Sequence, residues 1–120
     1  MVTTETEIII NNAASVNFND RLDIAIKINT LGPLNLINIA KDCHRLEICT
    51  HVSTCYVNCN KPDGFVEEKI YEDIDFDVET FVKNILSMSE KEVLEKQEKL
   101  IGTFPNTYTF TKNLGERLIR

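Results

Sequence analysis

The 120-residue sequence lacks an excess of basic charge and a long hydrophobic run, and its first residues lack the pattern of a secretory signal. Its 13 Lys and Arg residues are outnumbered by 19 Asp and Glu residues, so the formal net charge is −6. This balance argues against a nucleic-acid-binding protein or a polybasic membrane arm, because both need a dense basic face. No apolar run approaches the ~20 residues that span a bilayer. The segment 1–7 contains two glutamates and no apolar stretch, so we expect that it is not a secretory signal.

The cysteines do not form a metal-binding motif. They are Cys43, Cys49, Cys55 and Cys59, and no second Cys/His pair at ligand spacing accompanies the last two. No Asn-x-Ser/Thr glycosylation site is present. We therefore expect free, reduced thiols, no zinc site and an intracellular location.

The length and composition are those of one folded domain. Hydrophobic residues make up 42% of the chain and charged residues 27%, which excludes wholesale disorder. The chain is shorter than the ~150 residues of an average domain, so a second domain is not expected. The sequence contains no internal repeat or low-complexity tract.

The first half of the chain has the pattern strand, helix, strand. The β-branched run at 7–11 predicts a strand that is buried on both faces, as in a parallel sheet. Apolar residues then recur at helical spacing over 20–43, with Asn19 or Asp20 as the predicted cap. Residues 46–52 alternate with a period of two, which predicts a second strand. This pattern is typical of a right-handed βαβ crossover.

Negative charge is concentrated between residues 63 and 99. This stretch has twelve acidic and five basic residues, a net charge of −7, whereas the rest of the chain has +1. An apolar stripe at 78–86 predicts one helix, and a capping box at 89–92 begins a second helix that stops at Gly102. We interpret 63–101 as a solvated helical insertion; a docking surface for a basic partner is the alternative.

A last helix, predicted over 109–120, follows the sequence Pro105-Asn106-Thr107. Tyr108 and Lys112 are four residues apart and therefore lie on one helical face. An ammonium beside a phenol favours the phenolate, which makes the phenol a better proton donor or acceptor near neutral pH. The spacing alone is a weak signal, because solvent-facing pairs of this kind are common.

The ends of the two predicted strands strengthen that signal. The segment 51–58 places hydroxyl groups after the second strand, at the edge where open parallel sheets bind ligands. The turn at 11–14 follows the first strand at the same edge, and its small residues allow close approach of a nucleotide. We expect hydroxyl, phenol and ammonium to converge there, and we interpret His51 as a strand residue with a satisfied ring.

Four segments together show a family resemblance: 11–18, the helix segments within 20–32, 51–58 and 104–112. The chain resembles the extended branch of the short-chain dehydrogenase/reductase superfamily, and most closely the fatty acyl-CoA reductases with a male-sterility-type nucleotide-binding domain. The last two segments are long enough to distinguish this family from sugar epimerases and hydroxysteroid dehydrogenases. The matching segments run from Ile8 to Arg120.

The resemblance implies an α/β fold, namely a partial Rossmann-like doubly wound parallel sheet with an acidic helical insertion. The family begins with a Gly-x-x-Gly-x-x-Gly loop that binds pyrophosphate at a helix amino terminus. The four glycines here, Gly32, Gly64, Gly102 and Gly115, do not form that pattern. We therefore expect residues 1–120 to be the central portion of an NAD(P)-binding domain, without its glycine-rich amino-terminal part and its carboxyl-terminal part.

By resemblance, the activity is NADPH-dependent reduction of a long-chain acyl-CoA, through an aldehyde, to a primary fatty alcohol. NADPH and the acyl-CoA are the implied partners, and Ala13, Ala14, Tyr108 and Lys112 are the implied cofactor-binding residues. Family members associate with peroxisomal or endoplasmic reticulum membranes. The exposed edge of an incomplete sheet also predicts self-association.

The resemblance also assigns catalytic roles. Tyr108 would give its proton to the oxyanion, and Lys112 would hold the nicotinamide ribose. Thr54, with Ser53 as the second choice, would donate a hydrogen bond to the carbonyl oxygen. Asn29 would complete the tetrad through a water that its main-chain carbonyl binds beside Lys112.

The sequence gives the role of Asn29 a physical reason. Pro33 lies four residues later in the helical pattern and has no amide proton, so the Asn29 carbonyl is free to accept from a water. A simple kink with a solvated carbonyl is the alternative.

Two other functions stay open. The absence of the glycine loop supports a non-catalytic fragment or interaction module that reuses the sheet. An extended-branch reductase or epimerase with another substrate is the second alternative, which the residues at 105–107 disfavour.

Overall fold

The computed structural model describes residues 2–71 and 74–120. The connection between the two strands contains one continuous helical rod of three parts, which spans 22–41. In chain order the elements are α1 (Val2–Glu5), β1 (Ile8–Asn11), α2 (Leu22–Ala25), a π-helical turn (Ile26–Thr30), α3 (Leu31–Lys41), β2 (Ile48–His51), α4 (Val78–Ser87), α5 (Glu90–Ile101) and α6 (Thr107–Ile119).

The two strands form a parallel pair, with Ile8 opposite Ile48 and Asn11 opposite His51. The helical rod connects them, and α3 contacts both strands. The predicted strand–helix–strand unit and the α/β fold class are therefore confirmed. Because the strands are parallel and in register, their carboxyl ends lie side by side, which places the 11–14 and 51–58 segments at one edge.

The prediction that β1 is buried on both faces is wrong. Ile8 and Ile10 are 56% and 68% exposed, whereas Asn11 is buried and Ile9 is half-buried. This alternation shows that only one face is covered, which agrees with the packing of α3 against both strands. No other helix among the described residues covers the second face. A continuous β-branched run identifies a strand, but it does not show how many layers pack on that strand.

The predicted cap of the long helix is also wrong. Neither Asn19 nor Asp20 caps it, and the residue that precedes α2 makes no side-chain cap. The Asp20 carboxylate instead accepts a 2.5 Å hydrogen bond from the Ser15 hydroxyl in the preceding turn. The amide of Leu22 donates to the Gln97 side-chain oxygen on α5, at 2.8 Å. A residue of a distant helix thus accepts the hydrogen bond of an amide that has no local capping partner.

The helices predicted in the acidic stretch are present. Asp77 caps α4 by accepting from the amide of Thr80 at 2.7 Å. The capping box of Ser89 and Glu92 starts α5 as predicted. Gly102 follows the last residue of α5 with φ +60°, a backbone conformation that favours glycine. Residues 63–71 and 74–77 contain no helix.

The hydrophobic core lies between α2, the π turn and the three later helices. The inner faces of α4 and α5 are part of it, so the solvated interpretation applies only to their outer, charged faces. Each fully buried aliphatic side chain there contributes about 1.5–3 kcal/mol. The buried core residues are Leu22, Ile26, Val82, Ile85, Val93, Phe104, Phe110 and Leu114.

The described part of the chain contains no helix long and apolar enough to cross a membrane. All four cysteines are free. Across 2–71 and 74–120, no group of three or more His, Cys, Asp or Glu side chains is placed to hold a metal ion.

Candidate active site

Helix α6 is attached to the segment that follows β2 by two hydrogen bonds. The Lys112 ammonium donates to the main-chain carbonyl of Val52 at 2.8 Å, and the Asn113 side-chain amide donates to that of Val57 at 3.1 Å. The acceptors lie on either side of the hydroxyl pair at 53–54. Two consecutive residues of α6 therefore fix the backbone on which the candidate carbonyl-binding hydroxyls lie.

Lys112 is a buried cation. Only 2% of the residue is exposed, and this burial lowers the pKa of its ammonium, while the Glu116 carboxylate one turn later acts in the opposite direction. The carbonyl of Val52 replaces part of the lost hydration. An ammonium held away from water acts more strongly on neighbouring groups than one in solvent, because screening there is weaker.

Tyr108 lies one turn before Lys112 and is half-buried. Its ring packs against Phe18, with the ring centroids 5.4 Å apart and the planes tilted by 34°. Phe18 belongs to the turn that follows β1, so α6 is in contact with the ends of both strand-following segments. Asn106 fixes the start of this helix, because its side chain accepts from the amide of Thr109 at 2.9 Å.

The two candidate hydroxyls have different surroundings. Thr54 lines a cleft of about 590 Å³, and its oxygen accepts from the amide of Tyr56 at 3.3 Å. The hydroxyl proton of Thr54 can therefore be donated elsewhere. Ser53 does not line the cleft, and its buried hydroxyl has no hydrogen-bond partner among the described residues. This geometry favours Thr54 over Ser53 as the group that meets a ligand in the cleft.

Asn29 connects three parts of the fold through its side chain. It lies in the π turn and is 1% exposed. Its carboxamide oxygen accepts from the amide of Ser15 at 2.9 Å, and its nitrogen donates to the Ser15 carbonyl at 3.1 Å and to the Thr111 hydroxyl at 3.2 Å. The side chain therefore holds the turn after β1 against α6. This turn also contains Ala13 and Ala14.

The main-chain carbonyl of Asn29 faces α6. A Cβ atom added to Gly115 would lie 2.7 Å from this oxygen, so the two backbones are in direct contact. Pro33 is buried in α3, and it offers this carbonyl no amide. Asn29 as a whole is almost fully buried. The carbonyl thus lies against α6 at Gly115, which is three residues after Lys112.

We expected the ring of His51 to have its hydrogen bonds satisfied, but only one of its two nitrogens has a partner among the described residues. Its Nδ1 accepts from the Asn11 side-chain amide at 3.1 Å, which leaves the proton of a neutral ring on Nε2. That Nε2 is buried and has no partner in the described part of the chain. Burial, and secondly the nearby Lys112 ammonium, lower the pKa of His51. The imidazole is therefore held neutral at the sheet edge.

The alanines after β1 lie in a segment without regular structure. Ala13 is exposed and Ala14 is half-buried. Because each of these side chains is only a methyl group, the backbone of this turn is accessible. Four further residues position the neighbouring groups and are not predicted from the sequence: Ser15, Thr111, Asn113 and Gly115. The sequence signal for three of them is the run of Thr, Lys, Asn and Gly in the last predicted helix. The structure shows that these residues are buried, at positions where apolar residues are usual.

The comparisons with known proteins agree with this geometry. Residues 1–120 match the family model described as male sterility protein, a model of NAD-binding domains. Probable fatty acyl-CoA reductase 5 of Arabidopsis thaliana is 34% identical over 139 residues, which cover 96% of this chain and 28% of the relative. Fatty acyl-CoA reductase 1 of Xenopus laevis is 35% identical, with 95% of this chain and 22% of the relative covered.

The same match extends to birds. Fatty acyl-CoA reductase 1 of Gallus gallus is 36% identical over 113 residues, which cover 94% of this chain and 21% of the relative. The chain thus spans between a fifth and a third of the length of these curated relatives. With its parallel strand pair and connecting helix, it has part of a Rossmann-like nucleotide-binding fold. The chain belongs to the male sterility family of NAD-binding domains, the family of the fatty acyl-CoA reductases.

Proposed function

We propose that this chain forms the catalytic centre of an NADPH-dependent, alcohol-forming fatty acyl-CoA reductase. The observation behind the proposal is the hydrogen bond from Lys112 to Val52, which ties the phenol-bearing helix to the hydroxyl segment. The curated relatives are named fatty acyl-CoA reductases. We further propose that 1–120 is the central portion of the nucleotide-binding domain, with the pyrophosphate site formed by residues outside this range.

The residues present fit a nicotinamide cofactor. Lys112 would donate to the hydroxyls of the nicotinamide ribose, and the exposed backbone at Ala13 and Ala14 would lie against the nucleotide. Two buried polar atoms at the same edge, His51 Nε2 and Ser53 Oγ, have no partner among the described residues, as expected at a ligand site. When bound, the cofactor supplies the hydride.

The protein's own groups would handle the oxygen of the substrate. Thr54 would donate a hydrogen bond to the acyl carbonyl oxygen, so that negative charge is stabilised as it develops there. Tyr108 would then transfer its phenolic proton to that oxygen. The positive charge of Lys112 would stabilise the phenolate that remains. In the first round Tyr108 would take this proton back as the carbon–sulfur bond breaks, so that an aldehyde forms and CoA leaves as a thiolate that takes a proton from solvent. In the second round the aldehyde oxygen would keep the proton of Tyr108, which gives the alcohol, and the phenolate would be reprotonated from solvent.

Asn29 would act as a positioning residue in this scheme. Its carbonyl lies against α6 near Gly115, and we propose that it binds a water that leads towards Lys112. Its side chain would keep the turn after β1, and with it Ala13 and Ala14, at a fixed distance from that helix.

An isotope experiment tests the reaction directly. The protein at its full natural length is incubated with a long-chain acyl-CoA and with NADPH deuterated at the transferring carbon. We expect a primary alcohol with deuterium on the carbinol carbon, and a parallel reaction with NADH reports the cofactor preference. An unlabelled product, or no alcohol, would contradict the proposal.

A further inference from the structure

The side chain of Asn113 makes a hydrogen bond at each end of its carboxamide. The residue lies in the middle of α6 and is 4% exposed. Its Nδ2 atom donates to the main-chain carbonyl of Val57 at 3.1 Å, and its Oδ1 atom accepts from the Nε atom of Arg117 at 2.8 Å. Because a guanidinium can only donate, Arg117 determines which end of the carboxamide faces Val57. The amide donor is therefore held towards the segment that follows β2.

Val57 is in turn bonded to Thr54. Its amide donates to the main-chain carbonyl of Thr54 at 3.2 Å. The amide of Tyr56 donates to the Thr54 hydroxyl oxygen at 3.3 Å. These two bonds make residues 54–57 a single turn. Since the carbonyl of Val57 accepts from Asn113, the turn that contains the Thr54 hydroxyl is bonded directly to α6.

Two consecutive residues of α6 hold the segment on both sides of Thr54. Lys112 binds the carbonyl of Val52, two residues before Thr54. Asn113 binds the carbonyl of Val57, three residues after it. Consecutive side chains point about 100° apart around a helix, so the two bonds come from different directions. A backbone bonded on one side can pivot about that bond, whereas a backbone bonded on both sides cannot. Asn113 thus restricts the turn in a way that Lys112 does not.

We propose that Asn113 is a positioning residue, which acts through the Val57 carbonyl to hold the Thr54 hydroxyl in place for the carbonyl oxygen of the substrate. This inference rests on the proposed function, in which Thr54 stabilises the negative charge that develops on that oxygen. Thr54 meets the thioester in the first round and the aldehyde in the second, so Asn113 affects both. A misplacement of about 1 Å can cost about 10²-fold in rate. Affinity for NADPH is independent of this bond, because Lys112 binds the ribose.

A double-mutant cycle with Thr54 tests the proposal in the protein at its full natural length. A long-chain aldehyde and NADPH are the substrates, so only the second round is measured. Asn113→Asp keeps the acceptor for Arg117 but loses the donor to Val57. We expect it to lower kcat about tenfold, with the KM for the aldehyde and the affinity for NADPH nearly unchanged.

The second arm of the cycle removes the hydroxyl itself. Thr54→Val should lower kcat about 10²-fold, because a donor to the developing negative charge is lost. In the Thr54→Val background, Asn113→Asp should have a further effect of less than about twofold, since the group that Asn113 positions is absent. Equal effects of Asn113→Asp in the two backgrounds would overturn the proposal, because Asn113 would then act on the fold and not through the hydroxyl.

Two further variants separate charge from hydrogen bonding. Asn113→Leu is similar in size to the wild type, introduces no charge and cannot bond Val57, so it should lower kcat as Asn113→Asp does. Asn84→Asp, at an exposed position on α4, introduces the same charge elsewhere and should leave kcat unchanged. Wild-type kcat in both Asn113 variants, or an equal loss in Asn84→Asp, would also overturn the proposal. Circular dichroism of each variant establishes that the fold is retained.

Hydrogen exchange measures the turn without any reaction. The amide of Val57, which donates to the Thr54 carbonyl, should exchange about three- to tenfold faster in both Asn113 variants, since a bond that holds the turn is lost. Exchange at the wild-type rate would overturn the proposal even if the protein is a reductase. If the wild type forms labelled alcohol and the cycle is additive, only the positioning role fails. If the wild type forms no alcohol, the reductase function fails and the positioning role with it.

Discussion

The ammonium of Lys112 and the main-chain carbonyl of Val52 are joined by a hydrogen bond of 2.8 Å. One partner lies on α6, one turn after Tyr108, and the other directly follows β2 and precedes the 53–54 hydroxyl pair. This bond therefore sets the separation between the proposed proton donor and the proposed carbonyl-binding hydroxyl. It also explains how a lysine can be buried almost completely: the carbonyl replaces part of its hydration.

The substitution Lys112→Met should weaken both cofactor affinity and turnover in the protein at its full natural length. Methionine removes the donor to the ribose, and it also leaves the carbonyl of Val52 without its partner, so the hydroxyl segment is no longer held. Fluorescence titration with NADPH and steady-state kinetics measure the two effects. Lys91→Met, at an exposed position on α5, is the control. Unchanged cofactor affinity in Lys112→Met would refute the ribose role.

The substitution Tyr108→Phe should instead abolish turnover and leave NADPH affinity within a few-fold of the wild type. The phenol acts on the developing oxyanion, an interaction made mainly in the transition state. Packing of the ring against Phe18 is retained in this variant, so the fold should not change. Tyr56→Phe, at an exposed tyrosine, is the matched control. Turnover above about a tenth of the wild-type value would exclude Tyr108 as the proton donor.

Two helical glycines should respond oppositely to substitution by alanine. In Gly115→Ala the new Cβ atom would lie 2.7 Å from the Asn29 carbonyl oxygen, so α6 must move away at a cost of about 1–3 kcal/mol. In Gly32→Ala the nearest atom outside the local helix backbone is 3.9 Å away, and the better helix propensity of alanine should add about 0.5–1 kcal/mol.

Urea unfolding of both variants measures the free energy of unfolding. An equal effect of the two substitutions would show that the close contact between α6 and the π turn does not constrain the fold. A destabilised Gly115→Ala protein that also loses cofactor affinity would link that contact to the Asn29 role.

The stability of the chain should decrease in mild acid because of His51. Burial lowers its pKa below the ordinary value of 6.5, so between the lowered pKa and 6.5 the unfolded state binds the proton and the folded state does not. Unfolding therefore takes up a proton in this window, and the free energy of unfolding falls as the pH decreases through it. At higher pH the effect disappears.

Urea unfolding at a series of pH values tests this dependence. His51→Gln should reduce the slope below pH 6.5, since glutamine does not titrate. His44→Gln, at an exposed histidine, should leave the slope as in the wild type. An unchanged slope in His51→Gln would show that the imidazole is not held neutral in the folded chain.

The 120-residue chain by itself should bind NADPH more weakly than about 1 mM and show no reductase activity. Affinity for dinucleotides in this fold depends on a glycine loop at a helix amino terminus, and the four glycines here do not form one. The two-stranded sheet also has open edges, and Ile10 on β1 is 68% exposed, so we expect self-association.

Calorimetry with NADPH and light scattering test the two parts of this prediction. Ile10→Lys on the exposed strand should reduce self-association, because a charge there opposes strand pairing. Micromolar NADPH binding with turnover would mean that other residues replace the glycine loop, and the assignment of 1–120 as a central portion would then be wrong.

The sequence predicted the elements whose signals are local. The capping box at 89–92 involves groups three residues apart, and the phenol–ammonium pair is one helical turn apart, so both could be read from spacing. The strand–helix–strand unit was predicted for the same reason, because periodicity is a property of neighbouring residues. The family resemblance added the assignment of residue roles, which spacing alone does not provide.

Other features depend on residues far apart in the chain. The amide of Leu22 is satisfied by Gln97, 75 positions away. Asn29 reaches Thr111 across 82 positions. No local pattern predicts such partners, because they depend on which helices pack together. The same limit explains the wrong cap at Asp20, which is a good capping residue by type but has its carboxylate bonded to the Ser15 hydroxyl.

The sequence by itself thus determined the kinds of element, their order and the chemistry available at the ends of the strands. The tertiary structure alone decided that Lys112 binds Val52, that Thr54 rather than Ser53 lines the cleft, and that β1 is covered on one face only. The physical reason is the range of the interactions. Helix capping and periodicity act within about one turn, whereas burial and hydrogen bonding across the fold depend on how whole elements pack.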